Sequence, residues 1–216
     1  MLFHSFYCDN IDARIVALHK EACNLVGLNV QYHATPIARL EQNGISAHCA
    51  HGRWMERLFD AQEEDLIGFI DIDCIVLCPS IVDLVEAEVG KNDTAVGVAQ
   101  CANHLPSRNI PYAAPAFMVA QQSLWDRLGR PSLVANAEMD TAQSITMACL
   151  ANDMEIGLLM PEGHSPEGPS WPLANAGSFG IGTMYGGGKI FHLFQGSKGP
   201  SYLHLLEEQV HQLRIR

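Results

Sequence analysis

The chain has 216 residues, 48% of them hydrophobic, and a formal net charge of −11, which allows a sizeable core within the size of one domain. The acidic balance, with basic residues scattered along the chain, argues against binding to nucleic-acid backbones or anionic lipid, and no uncharged apolar run approaches the roughly 20 residues that span a bilayer. The start lacks a basic segment followed by an apolar stretch, and the seven cysteines include three inside expected helices or strands (Cys23, Cys74, Cys149), so a cytoplasmic protein without disulfides is expected.

In chain order, Leu2 to Cys8 reads as a strand. Ile11, Ile15, Leu18, Ala22 and Leu25 then recur at helical spacing, with Asp9 or Asn10 as the cap. Leu28 to His33 is expected as a second strand. After a loop through Pro36 and Gly44, Trp54, Met55, Leu58 and Phe59 mark a helix that leads into the apolar run Leu66 to Leu77, expected as a central strand. Pro79 suits the first turn of a helix over Ile81 to Val89, ahead of strands at Thr94 to Ala99 and Ala116 to Ala120. A helix from about Glu138 to Ala151 and a strand from Glu155 to Met160 continue the alternation, which predicts an α/β fold with a largely parallel sheet. Pro161 to Gly188 breaks the pattern. With four prolines, many glycines and little periodicity it is long for a connection, as functional or mobile loops are. A strand, Lys189 to Phe194, and a helix, Tyr202 to Leu213, close the chain.

Within a strand, alternation puts Asp71 and Asp73 on one face and Ile70, Ile72 and Cys74 on the other. Two like charges in the run Phe69-Ile70-Asp71-Ile72-Asp73-Cys74-Ile75-Val76-Leu77 carry a large desolvation and repulsion cost unless a positive group compensates them. A divalent cation does so, and hard carboxylate oxygens suit Mg²⁺ or Mn²⁺ held together with phosphate oxygens of a substrate. The bland alternative ends the strand at Ile70 and leaves both aspartates capping a turn at the sheet edge. A second constellation is Phe191-His192-Leu193-Phe194-Gln195-Gly196-Ser197-Lys198, at the end of the last strand. His192 can complete a metal shell, Gly196 lets backbone approach a ligand closely, and Lys198 offers positive charge to a departing phosphoryl group.

Taken together, the two constellations resemble the GT-A class of glycosyltransferases, whose mostly parallel Rossmann-type sheet with helices on both faces carries an Asp-X-Asp metal motif. His192 and Lys198 resemble the closing His-to-Lys motif of the glycogenin and lipo-oligosaccharide galactosyltransferase family. An alternative resemblance is to bacterial glycosyltransferases ending in a His-Leu-Trp-His-Gly-Ser type motif, which His192 to Ser197 approaches. The resemblance implies a single glycosyltransferase-like domain over 1–216, with a flexible loop over 161–188. It implies Asp71, Asp73 and His192 as ligands of Mn²⁺ or Mg²⁺, Lys198 and Gly196 at the diphosphate, and Tyr7 and Asp9 at the nucleobase. The implied partners are a nucleotide sugar, UDP-linked, and a saccharide or other hydroxyl acceptor. It further nominates Asp140, then Glu138, to meet the acceptor hydroxyl as general base or sugar contact, although capping of a helix start explains both acids equally.

Other residues carry weaker signals. Arg53 can reach donor phosphate or sugar from the segment His48-Cys49-Ala50-His51-Gly52-Arg53-Trp54. A zinc site there lacks a fourth ligand at suitable spacing. Trp171 can stack on a sugar within a lid or simply anchor its own segment. Gly186 to Gly188 lack the spacing of a phosphate loop. Two other functions remain in view. One is a haloacid dehalogenase-type magnesium phosphatase, disfavoured because its motif normally lies near the N-terminus, Ile75 stands where Thr or Val is usual, and no late acidic pair follows. The other is a non-catalytic nucleotide- or carbohydrate-binding module.

Overall fold

In the computed structural model, which describes residues 1–61, 64–103, 105, 110–196 and 200–216, two strand–helix units come first. β1 (Phe3–Cys8) leads into α1 (Ala13–Val26), and β2 (Val30–Thr35) pairs parallel to β1. The cap of α1 is neither Asp9 nor Asn10. Asp12 accepts from the Arg14 N–H at 2.9 Å, and Gly27, at φ 69, closes the other end in the left-handed conformation. Asp9 instead accepts from the Ile37 N–H at 2.9 Å and so tethers the start of α2 (Ile37–Gln42), a short helix inside the expected loop.

α3 (Ala47–Ala61) buries Ala50, Gly52, Met55 and Phe59, a one-sided spacing that packs the helix on the sheet. β3 (Leu66–Ile70), β4 (Cys74–Val76), α4 (Ser80–Asn92), β5 (Ala95–Gln100), β6 (Tyr112–Gln121), α5 (Gln122–Arg127), α6 (Gln143–Ala151) and β7 (Gly157–Leu159) follow. The central sheet has the order β2-β1-β3-β6-β5-β7. β6 runs antiparallel to β3 and β5, and the remaining neighbours are parallel. This is the expected α/β class with a mostly parallel sheet. Alternation sorts its side chains into two layers. Ile70, Val96, Val98 and Val119 meet Ile81, Val85 and Val89 of α4, whereas Ile67, Phe69, Met118 and Ala120 meet Met55, Phe59, Leu124 and Ile145 of α3, α5 and α6. Full burial of each large apolar side chain is worth about 1.5–3 kcal/mol.

The segment expected as loop, 161–188, holds four three-residue strands: β8 (Pro161–Gly163), β9 (Ser170–Pro172), β10 (Ser178–Gly180) and β11 (Thr183–Tyr185). Three residues are too few to display a period of two, and the prolines and glycines mask them further. β11 turns back into β12 (Ile190–His192) through Gly186, Gly187 and Gly188, all at positive φ (62, 72 and 71). Three consecutive left-handed positions require glycine. β8, β11, β12 and β4 build a second sheet, β4-β12-β11-β8, while β9 and β10 pair antiparallel in a two-stranded sheet of their own. α7 (Leu203–Arg214) lies against α1 and contributes Leu203, Leu206 and Val210 to a core shared with Ile15, Ile75 and Phe191.

Candidate active site

The apolar run Leu66 to Leu77 is two strands in two sheets, not the single central strand expected. β3 stops at Ile70; the Cys74 N–H then closes a turn on the Asp71 carbonyl at 3.0 Å, and β4 continues in the second sheet. The turn, rather than strand alternation, brings Asp71 and Asp73 together. A carboxylate pair inside a strand covered on both faces would have no polar partner, whereas at this crossing both acids border open space. β12 supplies the third group. Its antiparallel register sets Phe191 opposite Ile75 and His192 opposite Cys74, and the Leu193 N–H donates to the Asp73 carbonyl at 2.8 Å.

As a result, one ligand atom each from Asp71, Asp73 and His192 lies within 4.8 Å of the others. His192 Nε2 is 3.4 Å from Asp73 Oδ1, with side chains only 3% and 8% exposed. Burial, then the charge of Asp73, push the Asp71 carboxyl well above its ordinary range, with Asp140 adding to the effect. His51 Nε2 lies 4.0 Å from Asp71 Oδ1, but burial and the neighbouring His48 lower its pKa to about 4. At neutral pH the ring is therefore uncharged and adds no positive charge beside Asp71. Two carboxylate oxygens and an imidazole nitrogen converging on one point fit a divalent cation of the Mg²⁺ or Mn²⁺ kind, whose charge removes the repulsion.

The turn opens into a cleft of about 630 Å³. Phe6, Tyr7 and Cys8 line it from β1, His48 and His51 from α3, and Tyr112, Asn136, Asp140 and Thr141 from β6 and the approach to α6. The Phe6 and His51 rings stack at 5.3 Å and 13°. α6 begins at Gln143, not near Glu138 as expected, because Ala142 at φ 61 breaks the helical path. Asp140 precedes the helix, its N–H donating to Gln143 Oε1 at 2.9 Å and its carbonyl accepting from the Gln143 N–H at 3.1 Å. Its carboxylate accepts from the Tyr112 hydroxyl at 3.1 Å and the Thr141 N–H at 2.8 Å, which fixes it at the cleft wall.

No protein-family model matches the chain, and no curated protein matches it. Solved structures do. A197 from STIV is similar at 10% identity and a TM-score of 0.49, over 89% of this chain and 94% of that one. The galactosyltransferase LgtC, in complex with donor and acceptor sugar analogs, is similar at 11% identity and a TM-score of 0.46, over 74% and 73%. The catalytic domain of Drosophila β1,4-galactosyltransferase 7, in complex with xylobiose, is similar at 8% identity and a TM-score of 0.44, over 73% and 63%. At such identities and TM-scores these likenesses assign no activity.

Of the residues singled out from sequence, Tyr7, Asp71, Asp73, Asp140 and His192 border one cleft. Asp9, Arg53 and Glu138 are not among its lining residues; Asp9 tethers α2, and Arg53 and Glu138 are exposed. Gly196 is buried against Asp73. A Cβ there would come within 3.1 Å of the Asp73 Cβ and 2.9 Å of Leu193 Cδ2, so close packing of the site, rather than approach of a ligand, accounts for glycine. Lys198 lies outside the described residues. Trp171 packs edge-on against Phe194 at 4.9 Å and beside Phe179, anchoring its own segment. Lining residues that the sequence did not mark as site groups include Gln100, whose amide nitrogen is 3.0 Å from His192 Nδ1, Tyr112 and His51. Of these three, His51 carried a signal, within the rejected zinc segment that also holds the lining residues His48 and Cys49.

Proposed function

We propose that the chain is a metal-dependent glycosyltransferase with a GT-A-like domain that moves a sugar from a nucleotide diphosphate sugar, UDP-linked, to an acceptor hydroxyl. The observation that supports it is the convergence of Asp71, Asp73 and His192 at the floor of a cleft large enough for a nucleotide sugar. In this reading Asp71, Asp73 and His192 hold Mn²⁺ or Mg²⁺. When bound, the cation neutralises the departing nucleoside diphosphate. Tyr7 and the Phe6–His51 stack offer aromatic faces to the nucleobase, with Asp9 nearby in sequence. Lys198 is assigned to the diphosphate as the resemblance implies, with Gly196 two residues before it in sequence, and Arg53 has the weakest claim because it faces solvent.

The transferred sugar exchanges its anomeric C–O bond to the diphosphate for one to the acceptor oxygen. Asp140 is assigned to the acceptor, as the base that takes its proton if configuration inverts or as a sugar contact if it is retained. Glu138 is the second choice. The seven free cysteines support a cytoplasmic setting for this chemistry. No helix among the described residues is long and apolar enough to cross a membrane.

The test is a panel of nucleotide sugars with Mn²⁺ or Mg²⁺, followed by sugar transfer or donor hydrolysis. Wild type is expected to turn over at least one donor only with the cation, and Asp71→Asn and Asp73→Asn to lose that activity. Full activity in either variant sinks the metal assignment. Phosphate release from a simple phosphoester without donor turnover points to the phosphatase, and cation-dependent UDP binding without turnover of any donor points to a binding module.

A further inference from the structure

Gln100 ends β5 and is 5% exposed. Its side-chain nitrogen is 3.0 Å from His192 Nδ1. An amide nitrogen only donates, so in this arrangement Nδ1 accepts and the proton of a neutral imidazole sits on Nε2, which faces Asp73 Oδ1 at 3.4 Å. Yet Nε2 is the nitrogen closest to the carboxylates, and a metal-ligating nitrogen must present its lone pair. The other nitrogen must then carry the proton and donate it to an acceptor. Rotating the Gln100 amide by half a turn brings Oε1 to Nδ1 and provides that acceptor. The Tyr185 phenol, fully buried and within reach of Gln100 and Thr183, has no well-formed hydrogen bond among the described residues. As donor and acceptor it can answer either end of the amide.

We propose that Gln100 is the positioning residue for His192, its amide rotating with cation loading so that the imidazole proton moves from Nε2 to Nδ1. The inference rests on the metal reading of the site. It makes the cation's affinity depend on a residue that touches no cation, because a histidine without its outer partner loses both orientation and the correct proton arrangement.

The test uses the full chain with ¹⁵N-histidine, His192 being identified from the spectrum of His192→Gln. Long-range ¹H–¹⁵N spectra are expected to show the Nε2–H form without cation and the Nδ1–H form with saturating Mg²⁺. Mn²⁺ titration followed by electron paramagnetic resonance is expected to show affinity about 10- to 100-fold weaker in Gln100→Leu and near wild type in Gln100→Glu, whose carboxylate accepts from Nδ1–H. Wild-type affinity in Gln100→Leu, or one tautomer with and without Mg²⁺, overturns the proposal while leaving the metal site standing. Failure of wild type to bind Mn²⁺ overturns both. If Gln100→Leu does not fold, the two wild-type tautomers decide the matter.

Discussion

Asp140 and His19 show how a single side chain can be given a job by its neighbours. The two hydrogen bonds that Asp140 accepts from Tyr112 and Thr141 hold its carboxylate at the cleft with its volume and shape set. Asp140→Asn keeps that shape and removes the charge. Its turnover is expected to fall by about 10²–10⁴-fold if the acid is a general base, with Mn²⁺ affinity close to wild type; an unchanged turnover removes Asp140 from the chemistry. His19, on α1, is fully buried against the Tyr32 hydroxyl at 3.0 Å and Cys23, and burial lowers its pKa to about 4 from 6.5. Between those values the unfolded chain takes up a proton that the folded chain refuses. Stability present above pH 6.5 is therefore lost as pH falls through this window, by up to about 3 kcal/mol at 1.36 kcal/mol per pH unit. Urea midpoints of wild type and His19→Gln from pH 7 to 4 test this. The variant is expected to show the shallower fall, and equal slopes would remove His19 as the cause.

Elements meet most closely at their glycines. Gly52 is the point where α3 touches the chain before α6. A Cβ there would collide with the Leu133 carbonyl oxygen and come within 2.6 Å of the Val134 Cα, both backbone and unable to swing aside. Gly52→Ala is expected to cost about 1–3 kcal/mol and, since α3 also carries His51, to widen the cleft. Gly90 is the contrast. It lies on the exposed side of α4, and a methyl group added there would meet nothing within 4 Å, so Gly90→Ala is expected to stabilise by about 0.5–1 kcal/mol through helix propensity. Thermal unfolding of both variants measures the pair. A Gly52→Ala protein as stable as wild type would mean that α3 slides freely over residues 133–134.

For the whole molecule, the candidate metal site is a seam. Asp71 follows the last residue of the central sheet's β3, Asp73 precedes β4, and His192 ends β12 of the second sheet. A cation held by all three ties the two sheets together and is bound by the folded chain alone. At 100 times its dissociation constant it is expected to add about 2.7 kcal/mol, which at about 2–4 °C per kcal/mol for a chain of this size raises the unfolding midpoint by about 5–10 °C. Scanning calorimetry with and without Mn²⁺ checks this, with Asp73→Asn as the variant expected to lose the shift. A wild-type midpoint indifferent to Mn²⁺ would count against a cation bridging the seam.

By itself the amino-acid sequence determined the α/β class, the approximate places of β1, α1, β2, α3, α4, β5 and α7, and the chemical types at the site. These features follow from local pattern: a helical or alternating period, a proline at a helix start, two acids in an apolar run. Local pattern could not tell that the run Leu66 to Leu77 crosses between sheets. Strands buried on both sides and a turn between two strands are equally apolar, and the carbonyl and N–H partners that close the turn belong to the chain's geometry. The four short strands of 161–188, the antiparallel course of β6 and the true start of α6 were hidden for the same reason, since each depends on pairing or on one left-handed residue. At the site, His192 was legible as a residue but its neighbour was not. The Gln100 amide reaches its ring only because β5 and β12, distant in sequence, end beside one another. Tertiary structure alone decided that Asp71, Asp73 and His192 converge while Asp9, Arg53 and Glu138 are not among the residues that line the cleft, because convergence is a matter of strand register and sheet order, to which no spacing along the chain corresponds.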